Sequence, residues 1–183
     1  MRWRRLFDDL EAQAEAADEA ELSAEVAERS RREAALVHLV DRLTAAVGAQ
    51  ATVHLIGAGR VQGLLVDAGV DWLLVEEPGA GEVLVPHAAV LGVTGVGAAT
   101  AAPDGSAVGR RLDLRWALRG LVRSRTAVRL VLVDGSVLPG TLDRVGADHV
   151  DLAEHGRDEP RRAAMVRQVR LVPLAALAAV RSG

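Results

Sequence analysis

Apolar residues recur at two different periods along this chain, and the change of period marks its organisation. From residue 3 to 48 the spacing is helical. Trp3, Phe7, Leu10, Ala14 and Ala17 share one face, and so do Leu36, Val40, Leu43 and Val47. No Pro or Gly interrupts this stretch before Gly48, which is placed to end it. The pattern predicts a long acidic helical segment over 1–48, with a bend near Asp18–Glu21. Through Asp18–Glu33 the apolar positions are too sparse to sustain successive heptads, so a coiled coil is disfavoured. A solvated surface is preferred over a dedicated binding face for its acids.

Beyond Gly48 the period becomes two, and the pattern occurs twice. Residues 51, 53 and 55 alternate as a half-buried strand does, and so do 128, 130 and 132. The first parts of the two units align without a gap at an offset of 77: Val53 with Leu130, Val61 with Leu138, Gly63 with Gly140, Gly69 with Gly146, Asp71 with Asp148. The second parts align at an offset of 87, Val85-Pro86-His87-Ala88-Ala89-Val90 with Val172-Pro173-Leu174-Ala175-Ala176-Leu177. The second copy therefore carries an insertion, around His155–Met165.

Each copy reads as five short strands. Gly57-Ala58-Gly59 and Asp134-Gly135 supply the first turn, since Gly accepts positive φ. Gly63 and Gly140, inside a strand, mark a sharp bend. Gly69 and Gly146 mark the next turn, and Pro86 and Pro173 end the fourth strand. A helix over Arg110–Arg125 precedes the second copy, with Leu114, Leu118, Leu121 and Val122 as its apolar stripe. The expected organisation is a helical segment over 1–48, unit 1 over 49–98, a linker over 99–109, and a helix plus unit 2 over 110–183. The longest uncharged run, Val83–Pro103, has the length of a membrane span. It contains Pro, His, Thr and several Gly, so it reads as two short strands and a linker.

Composition sharpens this picture. All 22 basic residues are Arg, and Ala, Val and Leu dominate the apolar half, a bias expected of a GC-rich bacterial genome. There is no Cys, which excludes disulfides and thiolate chemistry. The charged opening MRWRRLFDDLEAQ lacks the apolar core of a signal peptide, and a cytoplasmic location is expected, with no membrane contact. Charge is uneven: residues 1–98 carry 8 Arg against 16 acids, and residues 99–183 carry 14 Arg against 9.

Candidate chemistry is sparse. Ile56–Gly63 superficially resembles a dinucleotide-binding glycine loop, but a strand follows it where a helix is required. His38, His54, His87, His149 and His155 form no metal-ligand spacing, and His149 and His155 read as surface residues. The pairs Glu76-Glu77 and Asp148/Asp151 lack a partner for acid–base work, and no nucleophile elbow is present. No catalytic, cofactor-binding or metal residue is therefore assigned, and no enzyme is expected. The arginines are the one strong signal. Arg110, Arg111, Arg115, Arg119, Arg123 and Arg125 lie on one helix, and Arg161, Arg162 and Arg167 lie in and after the insertion. They fit either a phosphate-binding patch or a partner for the acidic N-terminal helix.

The segments 134–152, DGSVLPGTLDRVGADHVDL, and 57–75, GAGRVQGLLVDAGVDWLLV, resemble the first motif of the Sm-like family, which includes Sm, LSm and bacterial Hfq proteins. LVPLAALAAV (171–180) and LVPHAAVLGV (84–93) resemble the second. The whole arrangement is also similar to an uncharacterised actinobacterial family. The Sm-like resemblance implies an α+β, mainly β chain: two five-stranded barrels in tandem, each preceded by a helix, after a long N-terminal helix. It also implies association through barrel edge strands. At the positions of the family's RNA-stacking residue stand Trp72 and His149. The family's Asn and its basic residue after the fourth strand are missing. The function expected is a non-enzymatic assembly or adaptor module, partnered by protein or by itself through the N-terminal helix and edge strands. Nucleic-acid contact through the Arg-rich half, His149 included, or an RNA- or DNA-binding regulator, is the alternative.

Overall fold

The structure is a computed structural model describing residues 19, 21–101, 112–156 and 168–182. Residues Met1–His38 form one compact unit and Leu39–Gly183 another.

In the first unit, helix α1 spans residues 21–35. It is exposed along its length and carries its own ion pairs, Arg29 with Glu25 and both Arg31 and Arg32 with Glu28. The long helix expected through residue 48 is not formed. The chain leaves the helix at Leu36 through short bonds from Leu36 N to Glu33 O and from Val37 N to Ala34 O. A separate helix, α2, covers Leu39–Ala45. Burial explains the division: of the expected stripe Leu36, Val40, Leu43 and Val47, only Leu43 is fully buried, while Leu36 and Val47 stay exposed. Packing of a short helix overrides a periodicity that would have continued. The first stripe, Trp3 to Ala17, lies outside the described residues.

Ten strands follow. In the first copy they are β1 Gln50–Leu55, β2 Gly59–Ala68, β3 Trp72–Glu77, β4 Gly81–Pro86 and β5 Val90–Thr94. Helix α3, Leu114–Ser124, leads into β6 Ala127–Leu132, β7 Val137–Val145, β8 His149–Glu154, β9 Gln168–Pro173 and β10 Leu177–Ser182. One 3-10 turn, His87–Ala89 or Leu174–Ala176, joins the last two strands of each copy. The uncharged run from Val83 is thus strand, turn and strand. No helix among the described residues is long and apolar enough to cross a membrane.

The two copies match residue for residue. Val53 faces Val61 and Leu130 faces Leu138; Trp72 faces Pro86 and His149 faces Pro173. Both break register at the same place, between Leu65 and Asp67 and between Leu142 and Arg144. Loop bonds repeat too: His87 N donates to Asp71 O, and Leu174 N to Asp148 O.

The tandem barrels expected are replaced by a single antiparallel sheet in the order β5-β1-β2-β3-β4-β10-β6-β7-β8-β9. Among the described residues β5 pairs only with β1 and β9 only with β8, so neither half closes on itself. The two halves join where β10 runs antiparallel to β4, Val180 opposite Leu84 and Arg181 opposite Val83. The reason lies in these two strands. Val83, Leu84 and Val85 are all buried, and so is the whole run Leu177–Val180. A strand apolar on both faces needs an interior position, and each supplies the other's missing neighbour. Arg181 and Glu77 form a half-buried ion pair across the join, and Ser182 Oγ donates to Glu82 O at 3.2 Å.

The core has two clusters, one per copy, and they exchange members. Val131 and Ala179 of the second copy pack in the first cluster; Trp72 and Leu84 of the first pack in the second.

Candidate functional site

The join between copies carries a cleft of about 350 Å³ lined by Asp71, Pro86, Ala88, Asp113, Leu114 and Arg115 together with Ala147, Leu174 and Ala175. It forms because the start of α3 is held by the first copy. Asp113 precedes the helix in extended conformation and caps it, its Oδ1 accepting from Trp116 N at 2.8 Å. Asp71, on the turn between β2 and β3, accepts from Leu114 N at 2.7 Å. Beside it Trp72 is buried, and its indole Nε1 donates to Leu112 O at 2.9 Å. Arg115 binds Asp113 Oδ2 through Nε at 2.7 Å and Nη2 at 2.6 Å, and its Nη1 reaches Ala147 O at 3.5 Å.

The polar groups of this cleft are thereby engaged. The Arg115 guanidinium is held by Asp113, and the Leu114 and Trp116 amides at the start of α3 are taken by Asp71 and Asp113. The lining holds no hydroxyl, thiol, amine or imidazole. Such a cleft positions a helix.

Burial pushes the Asp113 carboxyl upward, but hydrogen bonds from Arg115 and the Trp116 amide, with the charges of Arg115 and Arg119, outweigh it and hold the group below its ordinary range. A carboxyl depressed in the folded state stabilises above its unfolded pKa, and that stability is lost as pH falls through the folded value. We expect the urea midpoint to decline below about pH 4, and Asp113→Asn to shallow that decline. Equal acid slopes for the two proteins would contradict this role.

The predicted site residues divide. Arg110, Arg111, Arg161, Arg162 and Arg167 lie outside the described residues. Arg115, Arg119 and Arg123 stand four residues apart along α3, so they share one flank. Arg125 follows in left-handed conformation, φ 52°, closing the helix on Leu121 O and Val122 O. Arg119, Arg123 and Arg125 are exposed; Arg115 is spent on Asp113. Three other arginines form ion pairs inside the sheet: Arg144 with Asp151, Arg170 with Glu154 and Arg181 with Glu77.

Neither stacking candidate is an open platform. Trp72 is core. The half-buried ring of His149 folds back over Gly146 and is held by Asp148, with Nδ1 to Oδ1 at 2.9 Å. That hydrogen bond holds the Asp148 carboxyl below its ordinary range. His155, expected at the surface, is buried, with Nε2 2.8 Å from Thr141 Oγ1 and Nδ1 2.9 Å from Gly156 O. The turn residues take the following places. Gly69 N and Gly146 N close their turns on Trp72 O and His149 O, Gly135 has φ +84°, and Pro86 and Pro173 pass from strand into 3-10 turn.

Sequence reasoning missed the exposed aromatic of α3. Trp116 is 44% exposed, beside Arg119 and Arg123. It also missed the cap from Asp71. Asp113 before the first apolar residue of a helix is a legible cap signal, but a carboxylate 43 residues upstream has no local signature.

Comparison with known proteins finds no protein family, no curated protein and no solved structure that matches this chain.

Proposed function

We propose that this chain is a non-enzymatic cytoplasmic assembly module, a duplicated relative of the Sm-like motif, whose β unit associates head to tail with further copies. The pairing of β4 with β10 carries the reading, because it is a unit-to-unit contact between matching copies. The same contact has one unused half at each end of the sheet: β9 is the counterpart of β4, and β5 of β10.

Burial at matching positions supports it. Leu84 is 6% exposed at the join, whereas its counterpart Leu171 on β9 is 67% exposed. Ala178 is fully buried on β10, whereas its counterpart Leu91 on β5 is 71% exposed. Large apolar side chains on edge strands are normally avoided unless something covers them. A second copy is the occupant whose shape the join already displays.

Mass by light scattering across a concentration series tests this. The wild type is expected to contain several chains, and Leu91→Lys/Leu171→Lys to be a single chain. A wild type that stays monomeric to on the order of 100 µM would remove the proposal.

One observation favours nucleic-acid contact as a second reading: Trp116 offers an aromatic face among exposed arginines on α3. Gel shifts at low salt should then show RNA or DNA binding that weakens with added salt and with Arg119→Ala/Arg123→Ala. No shift at low salt would eliminate it.

A further inference from the structure

Asp71 holds the start of α3 through the Leu114 amide, and a histidine stands directly beside that contact. His87 opens the 3-10 turn that follows β4, and its backbone N–H donates to Asp71 O at 2.8 Å. Its ring is half-buried, and Nε2 is cut off from solvent with no hydrogen-bond partner among the described residues. A neutral imidazole leaves one nitrogen unbonded at a lower cost than a charged one. The charged ring must donate from both nitrogens, and at Nε2 no acceptor is in place. The second copy has no such group, because Leu174 stands at the matching position. The copies differ in the same sense at the helix. The turn beside His87 binds α3, whereas Asp148, beside Leu174, bonds to His149. The histidine therefore sits in the copy whose turn does the holding.

We propose that His87 is an acid-sensitive latch on the join between copies: when its ring takes up a proton, it draws the Asp71 carboxylate away from the Leu114 amide and frees the start of α3. The groups around the ring leave Asp71 as its partner. Among the described residues, Asp71 is the charge that acts on it. Asp113 and Arg115, which line the cleft with Asp71, bind each other. β10 packs against the 3-10 turn, and its charged residue, Arg181, is held by Glu77. Burial disfavours the charged ring. The Asp71 charge and hydrogen bonds to the backbone of Trp72 and Val70 favour it by less, so the group titrates below its ordinary range. A base depressed in this way binds fewer protons in the folded state than in the unfolded one. Its contribution to the closed join is complete above the ordinary imidazole value of about 6.5 and falls as pH drops below it. That window lies above the one in which Asp113 titrates, so the two effects separate.

Amide hydrogen exchange in the full-length protein, corrected for the intrinsic pH dependence of exchange, tests the latch. Between about pH 7 and about pH 5.5, protection of the Leu114 amide is expected to fall several-fold, and at most about tenfold, the limit set by one pH unit below an ordinary imidazole. Two variants remove the titration. His87→Leu installs the residue that the second copy already carries, and His87→Gln keeps a polar side chain that does not charge in this range. In each, Leu114 protection should stay level across the same interval. A wild type whose Leu114 protection does not change overturns the latch. So does a fall that persists in His87→Leu or in His87→Gln. A fall of equal size throughout β6, β7 and β8 marks general unfolding by acid and overturns it as well. The assembly reading is independent of all these outcomes.

Discussion

Gly63→Ala is expected to cost about 3 kcal/mol or more of folding stability, a large effect for one methyl group. Gly63 lies within β2, opposite Ala51 of β1. A Cβ built there would sit 1.9 Å from Glu76 O and 2.7 Å from the carbonyl carbon that bears it. Both atoms belong to the backbone of β3, so no flexible side chain can move aside. Relief requires the β2–β3 ladder to separate just before its register break between Leu65 and Asp67. The second copy repeats the arrangement, with a Cβ on Gly140 falling 2.3 Å from Ala153 O, so Gly140→Ala should behave alike. Gly92 on β5 is the control: nothing lies within 4 Å of its Cβ and its φ is not positive, so Gly92→Ala should change stability by under about 0.5 kcal/mol. Urea unfolding followed by circular dichroism measures all three. A midpoint for Gly63→Ala equal to that of Gly92→Ala would show that the strands are not so close.

Trp72→Ala is expected to cost about 3–5 kcal/mol. The side chain belongs to the first copy by sequence but packs in the core of the second, with Leu114, Leu118 and Val150 in the same cluster. Its removal leaves a cavity there and orphans Leu112 O, the acceptor of its indole N–H. Trp72→Phe keeps most of the apolar contact and loses that bond, so a smaller loss of about 1 kcal/mol is expected. The sharper readout is cooperativity. Because Val131 and Ala179 return the exchange by packing in the first core, the copies should unfold together, in the wild type and in both variants. Separate transitions for the two halves would contradict the interlocked cores.

Strands and turns were legible because their signals are local. Alternation at 51–55 and 128–132, the turn and bend glycines, and the Val-Pro steps each act within a few residues, and the offsets of 77 and 87 carry straight into the registers. Sheet topology was not legible in this way. Whether β4 and β10 each close a barrel or pair with each other depends on contacts about 100 residues apart, and both outcomes bury the same Val and Leu side chains. The helix over 1–48 was overextended because Leu36 and Val47 fit the stripe equally well as exposed residues. Trp72 and His149 occupy matching positions with similar sequence neighbours. They separate into core and half-buried surface only because α3 covers the first, which no residue near Trp72 announces.

The covalent link changes what the join between copies must achieve. Two separate units meeting at micromolar concentration need a contact strong enough to overcome their dilution. Units tied in one chain meet at an effective concentration that is on the order of millimolar when the tether is short. The β4–β10 contact can therefore remain closed in conditions that open an identical contact between chains. Parity follows as well. An assembly growing through β5 and β9 adds two units at a time, so a closed one contains an even number of them. Its joins alternate between tethered ones, where Arg181 meets Glu77, and untethered ones, where the corresponding Glu154 is already held by Arg170 and Thr94 takes the place of Arg181.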